Sequence, residues 1–458
     1  MDELPEQSDE EDRLVAIVLA AGMGTRMRSG IPKILHHVAG DPMIFHVLGA
    51  IEKAGAAEIV LVVGHQSEQV KAAVGNSVRY VIQEPQLGTG HAVQQAIHAL
   101  GSIPHRVLVL CGDAPLITDS SISKMASDIG DAAIVLLSAN VPNPTGYGRV
   151  IRDSEGRVSA IVEEAHATEA QRAITEVNSG FYCFDGHWLA ANLDKLERSP
   201  KGEYYLTDMV KLAVSQGRDV RAFATPNAEE VMGVNDRQQL AEVDRIMRAR
   251  FCRALMANGV TVVDPATTYI GRAVSVGPDS VIHPGTHLRG ETIIGERCEI
   301  GPNSIVIDST IGNDCAVFAS VVEGSYVGDR VAIGPFSHLR PGARIASDVK
   351  LGNYAEVKNS YIGENVQMHH FSYVGDAEIG SDTNIGAGTI TCNYDGRRKH
   401  RTKVGKGVFL GSGTLLRAPV EVGDGAVTGA GSVVTKDVAP GSLVFGVPAR
   451  EKTTNQGG

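Results

Sequence analysis

Short runs of branched apolar residues recur through the first half of the chain, and stretches of helical period separate several of them. The clearest runs cover residues 15–20, 59–63, 107–111 and 133–137. Runs that are apolar throughout are typical of strands buried on both faces of a sheet, and helices between them indicate parallel crossovers. The pattern predicts an α/β domain over residues 14–235 with a mainly parallel, Rossmann-like sheet.

The apolar period becomes helical after position 235. One stripe then consists of Leu240, Val243, Met247, Phe251 and Leu255, with several arginines opposite. The dipeptide Asn258-Gly259 is a typical stop signal at a helix C-terminus. We therefore predict a linker helix over residues 236–259.

An aliphatic residue recurs every six positions through much of the remaining chain. The repeat positions are Ile270, Val276, Ile282, Leu288, Ile294, Ile300 and Val306, then Val327, Ile333, Leu339, Ile345, Leu351 and Val357, and finally Val404, Leu410, Leu416 and Val422. Short flat strands joined by tight corners would point each sixth side chain inward, so the pattern predicts an all-β solenoid over residues 260–458. The rhythm breaks between Ile390 and Val404, where polar residues predict a loop at the binding face.

Composition supports this division and limits the possible partners. Of the 52 glycines, 21 precede residue 259, and the higher density after it agrees with a solenoid rich in corners. The net charge of −11, from 42 basic and 53 acidic residues, predicts a protein that binds neither nucleic acid nor anionic membranes. No run reaches the roughly 20 apolar residues that span a bilayer.

The start of the chain is rich in Asp and Glu, so residues 1–13 are expected to form an acidic disordered tail and not a signal peptide. We therefore expect a soluble, cytoplasmic protein. The six cysteines stand singly in the sequence, a pattern that favours neither a disulfide framework nor a zinc site. They are interpreted as small buried apolar residues.

The first candidate site is a glycine-rich turn after the first predicted strand. Gly22 and Gly24 lead into Arg26 and Lys33, so backbone N–H groups and two cations are available to bind phosphate. Met27 stands where the dinucleotide fingerprint has its third glycine, and the Gly-Lys-Ser/Thr ending of a P-loop is missing. A tight turn that binds nothing is the alternative interpretation.

Two further features lie where the strands of an open α/β sheet end and ligands bind. A second glycine loop covers residues 86–91, and Asp113 follows the apolar run at residues 107–111. A lone carboxylate beside a phosphate loop suits Mg²⁺, which takes one or two protein oxygens and completes its shell with phosphates and water. The alternative is that Asp113 forms an Asx turn before Pro115.

The second candidate site lies in the solenoid, where His369-His370 interrupts the repeat. The basic residues Arg340, Lys358 and Lys399 stand in neighbouring repeats. Adjacent residues of an extended strand point to opposite faces, so at most one histidine is expected to be catalytic. A histidine with a pKa near roughly 6.5 can accept a proton at neutral pH, whereas a surface or capping role is the alternative.

These motifs carry a resemblance to a known family. The signature Leu19-Ala20-Ala21-Gly22-x-Gly24-Thr25-Arg26-Met27, followed by Pro32-Lys33 and by Gly112-Asp113-x-Pro115-Leu116, resembles the sugar-nucleotidyltransferase, or nucleotide-sugar pyrophosphorylase, family. With the hexapeptide repeats and the segment at residues 384–396, the chain from about Val15 to about Arg450 is similar to one bacterial bifunctional family. Its members are N-acetylglucosamine-1-phosphate uridyltransferases and glucosamine-1-phosphate N-acetyltransferases.

The resemblance implies two reactions. Acetyl-CoA acetylates the amine of glucosamine-1-phosphate, and the product reacts with UTP, with Mg²⁺ as cofactor, to give pyrophosphate and UDP-N-acetylglucosamine for cell-envelope synthesis. Uridylyl transfer is assigned to residues 14–235 and acetyl transfer to residues 260–458. The resemblance also implies a left-handed parallel β-helix and a homotrimer with acetyl-transfer sites between its subunits.

In the N-terminal domain, the resemblance implies that Arg26 and Lys33 are catalytic residues that meet the phosphates, and that Asp113 and Asn235 bind Mg²⁺. Contacts to UDP-N-acetylglucosamine are expected from Ala21, Gly22, Lys33, Gln83, Gly88, Thr89, Gly148, Glu163, Asn178 and Asn235. Among these, the two glycine loops with Gln83 are expected to bind uracil. Gly148, Glu163 and Asn178 are expected to bind the sugar. Met23 and Cys111 depart from relatives that carry lysine and tyrosine there.

In the C-terminal domain, the resemblance implies that His370 is the general base. The sugar phosphate is expected to contact Arg340, Lys358, Tyr373, Asn384 and Lys399, and acetyl-CoA to contact Ala387, Asn393, Tyr394, Ser412, Ala430 and Arg450. Some relatives carry an arginine where this chain has Gly446. Arg450 or Lys452 is therefore expected to bind the CoA phosphates in its place.

Two other hypotheses remain from the residues alone. The solenoid could be a trimerisation scaffold without catalysis, or the whole chain could be a binding protein that has lost its chemistry. The cationic residues around His370 argue against the first hypothesis. The presence of Lys33, Asp113 and Asn235 argues against the second.

Overall fold

The computed structural model describes residues 13–452. Most of the predicted acidic tail, residues 1–12, lies outside the described residues, as do residues 453–458. Contacts divide the chain into two compact units, with the boundary between Met247 and Arg248. This boundary falls within the long helix that the sequence predicts between the domains.

The N-terminal unit is an α/β domain. Its strands are β1 (Leu14–Ala20), β2 (His37–Val38), β3 (Asp41–Pro42), β4 (Glu58–Val63), β5 (Arg79–Ile82), β6 (Arg106–Cys111), β7 (Ile134–Asn140), β8 (Arg149–Arg152), β9 (Val158–Val162), β10 (Glu176–Asp185) and β11 (Val220–Ala224). Its α-helices are α1 (Met43–Lys53), α2 (Ser67–Val74), α3 (Thr89–Ala99), α4 (Asp119–Ser127), α5 (Glu169–Arg172), α6 (Gly186–Asn192) and α7 (Asp208–Ser215). Short 3₁₀ helices cover Thr25–Met27, Lys33–Leu35, Glu164–His166, Leu193–Lys195 and Ala228–Val231.

The main sheet has the strand order β11-β7-β10-β6-β1-β4-β5. Strands β6, β1, β4 and β5 are parallel neighbours, as are β11 and β7. The apolar run of β1 is buried because helices cover the sheet, and the mainly parallel prediction is confirmed. Strand β10 runs antiparallel between β6 and β7, and pairs also with the β8–β9 hairpin. The sequence analysis did not find β10, because the polar run Asn178-Ser179-Gly180 interrupts the apolar pattern of this strand.

Helix α8 (Arg237–Ala257) is the predicted linker helix. Val243 and Met247 of the predicted stripe are buried in its N-terminal part. In its C-terminal part, Leu255 belongs to the core of the second unit and Phe251 packs against that core. The apolar stripe of this helix therefore extends through both units.

The C-terminal unit is a parallel β-helix with three sheets. The first sheet contains β12 (Thr261–Val262), β15 (Val281–Ile282), β18 (Glu299–Ile300), β21 (Ala316–Val317), β24 (Ala332–Ile333), β27 (Lys350–Leu351), β30 (Gln367–Met368), β33 (Asn384–Ile385), β36 (Phe409–Leu410), β39 (Val427–Thr428), β41 (Leu443–Phe445) and β42 (Arg450–Glu451). The second sheet contains β13 (Tyr269–Ile270), β16 (His287–Arg289), β19 (Ile305–Ile307), β22 (Val321–Glu323), β25 (His338–Arg340), β28 (Ala355–Lys358), β31 (Ser372–Gly375), β34 (Ile390–Cys392), β37 (Leu415–Arg417) and β40 (Val433–Val434). The third sheet contains β14 (Ser275–Val276), β17 (Ile293–Ile294), β20 (Thr310–Ile311), β23 (Tyr326–Val327), β26 (Arg344–Ile345), β29 (Tyr361–Ile362), β32 (Ala377–Ile379), β35 (Thr402–Val404) and β38 (Val420–Val422).

The aliphatic residues of the six-residue repeat form the core of this β-helix. Ile282, Ile300 and Val317, for example, are buried and stack in register on successive strands of the first sheet. The predicted solenoid and its inward-facing repeat positions are confirmed. Corners do not require glycine throughout, because residues such as Asp314 and Asp348 adopt the left-handed conformation there.

Within residues 13–452, no helix combines the length and apolar character needed to cross a bilayer.

Candidate active sites

The glycine turn after β1 brings a short helix and a lysine close together. Gly24 has φ +60°, and a Cβ at this position would lie 2.9 Å from Lys33 Cβ, so glycine is required on both counts. Met27 N donates to Gly24 O at 2.9 Å and closes the 3₁₀ turn that carries Arg26. The turn thus presents Arg26 and Lys33 on the same side of the sheet edge.

Arg26, Lys33, Asp113 and Asn235 converge at the carboxyl ends of β1 and β6. Lys33 Nζ forms an ion pair with Asp113 Oδ2 and lies 3.4 Å from Asn235 Oδ1. Arg26 Nη2 donates to the same Asn235 oxygen at 2.8 Å, and Val234 N donates to Asp113 O at 2.8 Å. Four residues that the sequence analysis assigned to phosphate and metal therefore lie in one cluster.

The donor set of this cluster fits Mg²⁺ better than a metal that needs a full protein cage. Asp113 and Asn235 offer one carboxylate and one amide oxygen, which leaves positions for phosphate oxygens and water. Among the described residues, no group of three or more His, Cys, Asp or Glu is arranged to hold a metal ion. The cations beside Asp113 also favour binding of the phosphates that would complete the metal shell.

The second glycine loop forms the other wall of the cleft. Gly88 has φ +97°, and a Cβ there would lie 2.6 Å from Tyr204 O. Gly90 N donates to Tyr204 O at 2.8 Å, and Tyr204 N donates to Leu87 O at 2.8 Å. Leu206 N donates to Thr89 Oγ1 at 3.1 Å, so the segment around Tyr204 fixes the loop and the N-terminus of α3.

Gly148, Glu163 and Asn178 meet on the predicted sugar side. Asn178 N donates to Gly148 O at 2.8 Å, and a Cβ at Gly148 would lie 3.6 Å from both Asn178 Cβ and Glu163 Oε2. Burial raises the pKa of Glu163, although Thr207 Oγ1 donates to its Oε1 at 3.2 Å. The three residues predicted to bind the sugar are brought together.

Part of this set lines one cleft of about 570 Å³, whereas Arg26, Lys33, Gly148, Asn178 and Asn235 are not among its lining residues. Its lining includes Ala21, Gly22, Gln83, Gly88, Thr89, Asp113 and Glu163 from the predicted set. Cys111 also lines the cleft, and burial, with the nearby charge of Asp113, raises the pKa of its thiol to about 12. Because this thiol stays protonated at neutral pH, Cys111 shapes the cleft and supplies no thiolate nucleophile.

In the β-helix, the second sheet presents a row of cationic and hydroxyl groups. Arg340, on β25, lies in register with Lys358 on β28, and Arg340 Nη1 is 2.9 Å from Glu356 Oε1. Lys399 approaches Lys358, and this like charge is the main reason why the pKa of Lys399 is lowered. Two lysines in such proximity favour an anion between them.

The insertion predicted between Ile390 and Val404 is an ordered loop held by Asp395. Its carboxylate accepts hydrogen bonds from Arg397 N and Arg398 N, both at 2.7 Å, and from His400 Nε2 at 2.7 Å. These bonds lower the pKa of Asp395 to about 2. The loop carries Asn393, Tyr394 and Lys399 back toward the second sheet.

Asp376 joins this loop to the body of the β-helix. Asn393 Nδ2 donates to Asp376 Oδ2 at 2.6 Å and lies 3.3 Å from the Tyr373 hydroxyl. Asn359 Nδ2 donates to the other carboxylate oxygen at 2.6 Å. Burial works to raise the pKa of Asp376, but these hydrogen bonds and the charges of Lys399 and Lys358 outweigh it and leave the pKa lowered.

The histidine pair does not lie on a strand, so one premise of the sequence analysis was wrong. Strand β30 ends at Met368, and His369 and His370 lie in the corner between the first and second sheets. The chain bends here because the corner must turn before β31, and the two exposed rings meet at 63° with centroids 6.5 Å apart. His370 thus lies in the corner that leads into β31, the strand that carries Tyr373, and does not follow the alternation of a strand.

The residues assigned to acetyl-CoA follow the same corner through later coils. Gly413 N donates to Ala387 O at 2.6 Å, and Gly431 N donates to Ser412 O at 2.8 Å, so Ala387, Ser412 and Ala430 lie in successive corners. Arg450 pairs with Phe445 in the last antiparallel strand, at the end of this series. Asn384, in contrast, lies on β33 of the first sheet, on a different face from Tyr373.

Several residues that shape the sites were missed by the sequence analysis. Gln86 Nε2 donates to Ala21 O at 2.5 Å and joins the two glycine loops. A Cβ at Gly375 would lie 2.2 Å from the Tyr373 hydroxyl, so the ring of Tyr373 requires glycine there. Asp376 and His91 likewise act on predicted residues through hydrogen bonds. The only sequence features that mark these positions are the glycine at 375 and polar residues, such as Asp376, that stand among apolar repeat residues.

The N-terminal fold and its phosphate cluster define a sugar nucleotidyltransferase, and the β-helix defines a hexapeptide-repeat acyltransferase. Residues 15–228 match the family model described as nucleotidyl transferase, and residues 273–308 and 401–436 match the one described as bacterial transferase hexapeptide (six repeats). The bifunctional protein GlmU of Geobacillus sp. is 47% identical over 444 residues, or 96% of each chain. The bifunctional protein GlmU of Geotalea uraniireducens is 46% identical over 453 residues, or 98% of each chain.

This chain belongs to the GlmU family of bifunctional enzymes. The prediction of a bifunctional uridyltransferase and acetyltransferase is thereby confirmed. Mg²⁺, UTP and acetyl-CoA, which the sequence analysis named as cofactor and substrates, are those of the family.

Proposed function

We propose that the N-terminal cleft and the β-helix divide the two reactions between them. The β-helix acetylates glucosamine-1-phosphate, and the cleft joins the product to the uridylyl group of UTP. The cationic row of the β-helix carries this assignment. Arg340 and Lys358 are in register on neighbouring strands, and the charges of Lys358 and Lys399 both act on Asp376, which accepts a hydrogen bond from Asn393. An anionic sugar phosphate fits this concentration of positive charge. A second, separate cationic cluster at Lys33 and Arg26 supports a second phosphate chemistry.

For uridylyl transfer, the phosphate oxygen of N-acetylglucosamine-1-phosphate attacks the α-phosphorus of UTP, and the α–β anhydride bond breaks to release pyrophosphate. Lys33 and Arg26 hold the triphosphate and oppose its charge as the attack proceeds. Asp113 and Asn235 would hold Mg²⁺, which adds further positive charge when bound. Gln83, Gly88 and Thr89 position the base, while Gly148, Glu163 and Asn178 position the sugar.

For acetyl transfer, the amine of glucosamine-1-phosphate attacks the thioester carbonyl, and the carbon–sulfur bond breaks to release CoA. His370 accepts the proton of the amine, which requires its neutral form. Arg340, Lys358 and Lys399 bind the sugar phosphate, with Tyr373 and Asn384 on its hydroxyls. Asn393, Tyr394 and the corner residues Ala387, Ser412 and Ala430 receive acetyl-CoA, and Arg450 binds its phosphates.

A coupled assay tests this division. The purified protein is given glucosamine-1-phosphate, acetyl-CoA, UTP and Mg²⁺, and free CoA thiol and pyrophosphate are followed separately. Both products are expected, with CoA release continuing when UTP is omitted. Asp113→Asn removes a carboxylate from the metal site and is expected to abolish pyrophosphate release while CoA release continues. Equal loss of both products in a folded Asp113→Asn variant would contradict the division.

We also propose a homotrimer whose acetyl-transfer sites lie between subunits. Asn384 and Tyr373 lie on different faces of one β-helix, so a site that uses both fits two neighbouring chains. The corner between the first and second sheets, called the first corner below, also carries three exposed aromatic residues on successive coils. They are Phe336, Tyr354 and Phe371, whose side chains are 59%, 61% and 62% exposed. A second copy of this chain is the occupant that would cover these aromatic residues and supply Asn384.

Light scattering after size-exclusion chromatography tests the trimer. Phe336→Asp should reduce the mass from three chains to one and abolish acetyl transfer, with uridylyl transfer retained. An acetyl-transfer activity that survives in a single chain would contradict shared sites. We place the enzyme in the cytoplasm because acetyl-CoA and UTP are made there.

A further inference from the structure

Gln83 lines the N-terminal cleft, and its side-chain amide is held in one orientation. Its side chain is buried, at 4% exposure, and its Nε2 donates to Gly88 O at 2.9 Å. A carbonyl oxygen can only accept, so this contact identifies the nitrogen end of the amide. Nε2 also lies 3.1 Å from His91 Nδ1.

The second contact defines the state of His91. Because the Gln83 nitrogen donates both of its hydrogens, His91 Nδ1 must be the acceptor and the ring must be neutral, with its hydrogen on Nε2. His91 Nε2 lies 3.2 Å from Gln95 Nε2. Turning the half-buried amide of Gln95 by 180° places its oxygen at this position, where it accepts the Nε2 hydrogen. Burial, and then the charge of Arg198, lower the pKa of His91, which agrees with a neutral ring.

The oxygen end of Gln83 is left for a ligand. Within residues 13–452, no donor makes a hydrogen bond to Gln83 Oε1, and Gln83 lines the cleft. The cleft therefore offers a fixed acceptor at this point. Uracil carries a hydrogen on ring nitrogen N3, whereas cytosine has a lone pair at the same position and would repel the acceptor.

We propose that His91 is a positioning residue that fixes the Gln83 amide and thereby makes uridylyl transfer selective for UTP over CTP. This inference rests on the proposed function, in which Gln83 contacts the base. Two groups, Gly88 O and His91 Nδ1, oppose rotation of the amide. Without His91 only the carbonyl remains, and a rotated amide would present its nitrogen to the lone pair of cytosine.

Two substitutions of His91 distinguish the loss of the Nδ1 acceptor from the change in side-chain size. In His91→Asn, the side-chain oxygen occupies the position of Nδ1 and can still accept from Gln83. In His91→Gln, the polar atoms lie one bond further out, and the acceptor is lost from that position. The full chain is assayed for pyrophosphate release with UTP or CTP, N-acetylglucosamine-1-phosphate and Mg²⁺.

His91→Gln should lower the ratio of kcat/KM for UTP to that for CTP by at least about tenfold, mainly through a higher KM for UTP. His91→Asn should keep the ratio of the natural chain. Circular dichroism and the thermal melt of the full chain, unchanged in both variants, confirm that the N-terminal unit is folded. An unchanged ratio in a folded His91→Gln variant would overturn the inference, as would an equal loss in the two variants.

A measurement on the unmodified chain keeps the inference testable if a variant fails to fold. UTP methylated at N3 lacks the hydrogen that Gln83 Oε1 would accept, and it should react at least about tenfold less efficiently than UTP. Equal turnover of the two nucleotides would overturn the role of the fixed acceptor. Absence of any pyrophosphate from UTP would instead contradict the proposed function.

Discussion

Glu163 and Glu164 are neighbours in the sequence, yet their pKa values shift in opposite directions. Burial raises the pKa of Glu163, whereas the hydrogen bond from Arg149 lowers the pKa of Glu164. Arg149 is the first residue of β8 and directly follows Gly148, and its Nη2 lies 2.7 Å from Glu164 Oε2. The Glu163 carboxylate therefore lines the cleft and lowers the stability of the folded protein when it is ionised. The Glu164 carboxylate stabilises the fold through its ion pair with Arg149.

Glu163→Gln should stabilise the protein near neutral pH. Because the pKa of Glu163 is raised on folding, the folded state holds this proton more tightly than the unfolded chain does. The contribution of protonated Glu163 to the free energy of unfolding is therefore present below the ordinary pKa of 4.5 and is lost as pH rises through the raised pKa. The amide mimics the protonated acid and avoids this loss. Thermal melting should show a Tm gain of about a few degrees at pH 7 that shrinks toward pH 4.

Glu164→Gln is the matched control with the opposite sign. The lowered pKa of Glu164 means that its stabilisation is present above the ordinary value and is lost as pH falls through the lowered value. This variant should melt below the natural protein at pH 7 and approach it in acid. A gain in Tm for Glu164→Gln at pH 7 would contradict the assigned causes.

His370 has a control of its own in the adjacent His369, which is also exposed in the same corner. His370→Ala should lower kcat for acetyl transfer by about 10²-fold or more, because a general base contributes that much. His369→Ala should retain most of the activity, since its ring is not the one assigned to the amine. CoA release is the measurement, and comparable losses in the two variants would argue against His370 as the base.

At the scale of elements, the insertion loop at residues 393–400 holds two predicted ligands in place through a third residue. The carboxylate of Asp395 accepts hydrogen bonds from the backbone of Arg397 and Arg398 and from the ring of His400. Asn393 and Lys399 are the two residues predicted to bind substrate. The loop is ordered by its own hydrogen bonds. Its binding residues therefore depend on a carboxylate that need not touch substrate.

Asp395→Ala should raise KM for glucosamine-1-phosphate about tenfold, because the loop loses the bonds that orient Lys399. Asp395→Asn keeps an oxygen that can accept both backbone hydrogens and should recover most of this loss. Initial rates of CoA release at varied sugar phosphate provide the measurement. Uridylyl transfer should be unaffected in both variants, and equal values of KM in Asp395→Ala and the natural chain would contradict the role of the loop.

Periodic elements were predictable from sequence, and irregular ones were not. The six-residue repeat and the apolar runs report burial directly, so the β-helix, the parallel strands and α8 follow from them. Strand β10 was missed because its site residues interrupt its apolar pattern, and the histidine corner was taken for a strand because local sequence does not encode a bend. Contacts between distant residues, such as Gln83 with His91, depend on side-chain geometry that no pattern records.

At the scale of the whole molecule, one chain contains two compact units with separate chemistry. The candidate residues of the cleft all lie in the first unit, and those of acetyl transfer all lie in the second. A single residue can therefore disable one reaction alone. In the proposed trimer, acetyl transfer also depends on assembly, because its site uses residues from two different faces of the β-helix.

Mixed trimers test that dependence. His370→Ala and Asn384→Ala each remove acetyl transfer, but a site formed by His370 of one chain and Asn384 of its neighbour can be intact when the two variants are mixed. Random assembly should restore about a quarter of the activity. The chains are unfolded and refolded together, and CoA release is compared with separately refolded samples. No recovery in trimers of confirmed mixed composition would place both residues in one chain.

The first corner of the β-helix changes from Phe336, Tyr354 and Phe371 to Gly388, Gly413 and Gly431 in later coils. Each coil advances along the β-helix axis by the strand spacing of about 4.8 Å. The length of this corner can therefore change only in steps of one coil. Deleting one complete coil from the glycine part would shorten the proposed acetyl-CoA site by the height of one coil and keep every face in register. Deleting a single residue would rotate all later side chains, so evolution can adjust the reach of this site only in steps of a full turn.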